Sequence, residues 1–196
     1  MSVPTHLDAS TPWRFRVRRT VIACAALSVA LGAGSCGNLP GAKAEPKAWA
    51  KDVCGAIVPW STDMTKTLGD FQDDIDENAD PAKVKADLDK ALGASVTSTD
   101  KAIKGVDDAG VPDVSNGEKV AKDFRGSLVE TKSAFEKARK GVQALATGDK
   151  PAFFEKLAGV MTQLGKDVSR SGKKLDKISS PELDKAFDSE PACKTE

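Results

Sequence analysis

The chain has no tyrosine, and its one histidine is His6, in the first few residues. Beyond that position it has no imidazole with which to build a Ser-His-Asp or Cys-His arrangement, or to bind a transition metal. There is no excess of either charge: 29 basic side chains face 29 acidic ones. A nucleic-acid binder concentrates basic charge on one face, whereas here lysines alternate with acids along the whole length. No stretch shows the period-two alternation of valine, isoleucine and aromatics that marks a strand. The four cysteines include no Cys-x-x-Cys pair of the redox type. With 40% hydrophobic and 30% charged residues, the 196-residue chain suits one soluble domain with a real core, and nothing calls for a second.

The first forty residues are organised differently from the rest. Arg14, Arg16, Arg18 and Arg19 precede an uncharged run from Thr20 to Ala33, which ends in Gly34-Ser35-Cys36. Positive charge, an apolar segment and then small residues is the order of a secretory signal. Ala33-Gly34-Ser35-Cys36 resembles a lipobox, in which the cysteine thiol is acylated and becomes the new N-terminus. It departs from that motif in having Ala33 where leucine is preferred. The other reading is an uncleaved anchor helix. Gly32, Gly34, Gly37, Asn38, Pro40 and Gly41 are poor material for the roughly 20 apolar residues that a span requires. The expectation is therefore a signal peptide over 1–35 and a lipidated Cys36 that holds the protein on the outer face of a membrane. Arg18-Arg19 also loosely resembles a twin-arginine export signal, and a start at Val17 would give a more compact signal.

Removing residues 1–35 takes away four arginines and one aspartate, leaving 25 basic against 28 acidic side chains, a net charge of −3. It also takes away Cys24, and lipidation consumes Cys36. Cys54 and Cys193 are left, and in an oxidising compartment they most simply pair with each other. Closing a loop of this length stabilises by up to about 5 kcal/mol in the chain-entropy picture.

After a tether over 36–47, apolar residues recur in steps of three and four. Trp49, Val53, Ile57, Trp60, Met64, Leu68, Phe71 and Ile75 form the first stripe, with Pro59 expected to kink its helix. Val84, Leu88, Leu92, Val96, Ile103 and Val106 form the second, opened by Asp80-Pro81 as N-cap and first-turn proline. The third holds Val120, Phe124, Leu128, Phe135, Ala138, Val142 and Leu145, with Ser115 and Glu118 expected to make a capping box. The fourth runs Leu157, Met161, Leu164, Val168, Ser171, Leu175 and Ile178. Short breaks at 78–81, 110–116 and 148–151 make consecutive helices antiparallel neighbours. The predicted architecture over 48–196 is all-α: an up-down-up-down four-helix bundle with a short C-terminal helix over Glu182 to Phe187.

Several features together resemble a group of small secreted proteins and lipoproteins common in actinomycetes. They are the cysteine near Trp49, the Gly110-Val111-Pro112 turn, the Pro151-Ala152-Phe153 helix start, and Leu183 to Phe187 ahead of Cys193. The resemblance implies location and shape, and carries no catalytic residues.

Two candidate binding features remain. Asp74, Asp76, Asn78 and Asp80 match the oxygen-ligand spacing of a calcium loop, but Ala79 replaces the turn glycine and Lys85 the bidentate glutamate. Trp49 and Trp60, with a kink at Pro59, offer a possible groove for a partner helix or acyl chain. Carboxylate pairs such as Asp73 and Glu77 lack the cleft and sugar-stacking aromatics of a glycoside hydrolase. No cofactor, resident metal or nucleic acid is expected. The preferred reading is a non-enzymatic surface lipoprotein that engages another envelope component. The alternative is a small-ligand or ion carrier using the bundle interior or the acidic end.

Overall fold

The steps of three and four are realised as five α-helices in a computed structural model that describes residues 42–74, 79–175, 178 and 180–194. They are α1 (Pro46–Asp74), α2 (Pro81–Ala109), α3 (Gly117–Gln143), α4 (Lys150–Leu175) and α5 (Pro181–Ser189), with a 3-10 turn at Pro191–Cys193. The chain is an all-α bundle with a short C-terminal helix. The proline at 59 does not end α1, because the exposed side of the helix accommodates its missing N–H. The hydroxyls of Ser61 and Thr62 both donate to the Val58 carbonyl beside it.

Ion pairs read out the antiparallel register of α2 and α3. Asp89 meets Arg139, Asp100 meets Lys132, and Asp107 meets Arg125, so positions rise on one helix as they fall on the other. Gly105 lets α1 approach α2 closely, since a Cβ there would lie 2.4 Å from the Ala56 Cβ. α4 packs along α3, while α5 and the 3-10 turn pack on α1. Among the described residues, the backbones of α1 and α4 make at most marginal contact.

The core divides into two apolar clusters. One holds Met64, Leu88, Leu92, Phe135, Val142, Phe153, Leu157 and Leu164. The other holds Trp49, Val53, Ile103, Val106, Val120, Leu128 and Leu183. Between them lies a layer of buried hydroxyl residues. Trp60 Nε1 donates to Thr99 Oγ1 at 3.1 Å, and the Thr99 and Thr131 hydroxyls return to carbonyls one turn back on their own helices. Ser171, placed in the apolar stripe by its spacing, is buried and bonds the Asp167 carbonyl in the same way.

The last part of the predicted tether belongs to the fold. Lys43–Ala44 forms β1, which pairs in parallel with β2 at Val111–Pro112. The α3 start also differs from expectation. Its N-cap is Asn116, in the left-handed region at φ 62°, and no side chain caps it, so Ser115 and Glu118 form no capping box. Glycine is required directly after this cap, because a Cβ on Gly117 would lie 1.9 Å from the Pro112 carbonyl oxygen.

Candidate functional site

The pole of the bundle where the chain enters is its most specifically built region. Val111 N–H donates to the Ala42 carbonyl at 3.0 Å, and Asp113 N–H donates to the Ala44 carbonyl at 2.8 Å. Gly110 makes this approach possible. It sits at φ 75°, and a Cβ there would lie 2.6 Å from the Ala42 oxygen. Outside the clamp, Lys43 pairs with Asp113 at 2.9 Å, and the carboxylate raises the lysine pKa.

Trp49 closes the clamp from within. Its side chain is 0% exposed, and its indole N–H donates to the Gly110 carbonyl at 3.1 Å. Phe124 and Phe187 meet it edge-on, with ring centroids 6.0 and 5.8 Å away. Trp49 is therefore core and cannot line a groove, which corrects half of the predicted pair. Trp60 is half-buried and lies in the hydroxyl layer, well along α1 from the clamp. The two tryptophans share no surface because eleven residues of helix separate them by about 16 Å.

Cys54 and Cys193 are joined by a disulfide that ties α1 to the end of the chain. The 3-10 turn that brings Cys193 into place is capped by Glu190, a buried carboxylate that accepts from the Ala192 N–H. No helical spacing marks this role. Glu190-Pro191, an acceptor directly before a first-turn proline, is the signal that carried it. At the start of α5 the Ser180 hydroxyl donates to Glu182, which lowers that carboxyl's pKa.

At the opposite pole, Asp80 acts as the expected N-cap of α2 and accepts from the Ala82 N–H at 3.1 Å. Asp74 is the last residue of α1, and Asp76 and Asn78 lie outside the described residues. Lys85, which occupies the calcium loop's glutamate position, donates to the Leu145 carbonyl at 2.7 Å, just past the C-terminal end of α3, where a cation suits the helix dipole. Among the described residues, no group of three His, Cys, Asp or Glu side chains is placed to hold a metal ion. Cys36 also lies outside the described residues.

Two shallow depressions open on the flanks. One, of about 450 Å³, is lined by Lys51, Gly55, Ala56, Gly105 and Ala109. The other, of about 420 Å³, is lined by Lys119, Lys122, Ser127, Glu130 and Lys174, and the buried Ser127 hydroxyl has no hydrogen-bond partner there. The lining of neither includes an aromatic side chain on which a sugar ring could stack between an acid and a separated base. Among the described residues, no helix is long and apolar enough to cross a membrane. No protein-family model matches the chain, and neither a curated protein nor a solved structure matches it.

Proposed function

We propose that this protein is an exported lipoprotein, cut before Cys36 and held by acyl chains on that cysteine at the outer face of the cell membrane. Its bundle surface engages another envelope component and performs no chemistry of its own. The reading rests first on the order of residues 14–36: arginines, an apolar run, and Ala33-Gly34-Ser35 directly before a cysteine. The single structural observation that supports it is the Cys54–Cys193 disulfide, a bond that persists in oxidising compartments and is rare in reducing ones. The resemblance to small secreted actinomycete proteins points the same way.

The test is the intact mass of the protein extracted from cell membranes, with thiol labelling before and after reduction. The expected species is residues 36–196 plus acyl chains, with no reactive thiol until the disulfide is reduced. The variant Cys36→Ala should leave the membrane fraction. A bare soluble fragment, or a full-length chain with free thiols, would overturn the proposal.

A further inference from the structure

We propose that the clamp pole of the bundle is its membrane-facing pole. A lipid headgroup surface lies beside β1, β2 and the turn leading into α3, while the pole carrying Asp80 and the α3–α4 turn faces outward. The inference rests on the reading of Cys36 as the lipidated residue.

Chain length carries the argument. The sequence alone leaves a tether of eleven residues, Gly37 to Lys47, but the pairing of Ala42 and Ala44 with the α2–α3 connection removes more than half of it. Five residues, Gly37 to Gly41, separate the anchored cysteine from Ala42. Six Cα-to-Cα steps at full extension reach about 20 Å. Helices of 27 and 29 residues, such as α3 and α2, hold the two poles about 40 Å apart. If the far pole touched the membrane with the bundle upright, Ala42 would stand about 40 Å above the surface, twice the reach of its tether. The inverted orientation is therefore forbidden.

The flanks give the bundle little reason to lie flat. Among the described residues, Val129 is the only large hydrophobic side chain that is exposed, so no apolar face is available to enter a bilayer. The lysines of the flanks are interspersed with acids, and the net charge of −3 after residue 35 does not draw the domain onto anionic headgroups. The far pole thus sweeps the space above the membrane from a pivot at Ala42. The clamp pole stays close to the surface whatever the tilt.

Energy transfer to a headgroup-labelled lipid tests this. The full lipidated chain, with its acylation verified by mass, is reconstituted into phosphatidylcholine vesicles that contain acceptor-labelled phosphatidylethanolamine. A donor dye is placed through Ser115→Cys beside the clamp or through Gly148→Cys in the α3–α4 turn. Transfer from position 115 should exceed that from position 148 by at least about twofold, given the pole separation and tether reach. Inserting twenty Gly/Ser residues between Gly37 and Asn38 should erase most of the difference. Equal transfer, or stronger transfer from position 148, would overturn the orientation and leave the anchor standing. A difference that survives the insertion would show that surface affinity, and not tether length, orients the domain, and would also overturn the inference. A chain without acyl groups on Cys36 would overturn the anchoring reading, and this inference with it.

Discussion

At the clamp pole a fully buried tryptophan, two edge-on phenylalanines, a strand pair and a disulfide converge on the start of α1. The far half is packed by Leu88, Leu92, Phe135, Val142, Phe153 and Leu157. Repeated aliphatic contacts share the load, so any one of them can be trimmed with partial repacking. The clamp has one copy of each part: one indole, one glycine carbonyl, one covalent bond. A single bundle is thus redundant at one pole and dependent on individual side chains at the other, and the dependent pole is the one at which β1 joins the fold.

The largest effect that would break this contrast is expected at Trp49. Trp49→Ala removes a side chain with no solvent exposure and orphans the Gly110 carbonyl, so it should destabilise by about 3–5 kcal/mol in denaturant unfolding. Hydrogen exchange should show β1 and the 110–116 connection opening before α4. Uniform loss of protection across both halves would mean that the two clusters are one cooperative unit. Next comes the disulfide: Cys193→Ser should lower stability by about 2–4 kcal/mol and release α5 and the 3-10 turn from α1, leaving the α2–α3 pairing protected. Thr99→Val keeps the shape of the hydroxyl layer but leaves Trp60 Nε1 without its acceptor, at a cost of about 1–3 kcal/mol. An unchanged midpoint would show that the layer does not link the halves.

The smallest effect is electrostatic and belongs to the far half. Hydrogen bonds from Arg139, then from Gln143, hold the Asp89 carboxyl below its usual pKa. A carboxylate depressed in the folded state contributes stability above its unfolded pKa and loses it as pH falls through the folded value. Wild type should therefore lose a slight advantage over Asp89→Asn as the solution is acidified below the ordinary carboxylate range. Melting curves recorded across that range would reveal it, and a gap between the two proteins that widened on acidification would contradict the assignment.

The stripes were legible because helices repeat: Val53, Leu88, Leu128 and Leu157 are buried where steps of three and four put them. The Cys54–Cys193 pair was legible by elimination among four cysteines. The clamp was not, because two paired residues carry no period and Lys43-Ala44 has nothing strand-like in composition. Trp60 was grouped with Trp49 by nearness in sequence, although a helix converts eleven residues into a distance of about 16 Å. Ser171 is buried where its helical spacing puts it, with its hydroxyl turned back to the Asp167 carbonyl. The α3 start lies one position later than its capping pattern predicts, and Gly117 sits against a carbonyl five residues away that no local pattern records.

The clamp and the disulfide also set an order of completion as the chain folds. Lys43 and Ala44 wait for Val111 and Pro112, Trp49 waits for Phe124 and then Phe187, and Cys54 waits for Cys193. The short connection lets α2 pair with α3 early, whereas α1, the first helix in sequence, is among the last to be finished. Truncation anywhere before Cys193 should therefore be felt at β1 and the start of α1, more than 139 residues earlier in the chain.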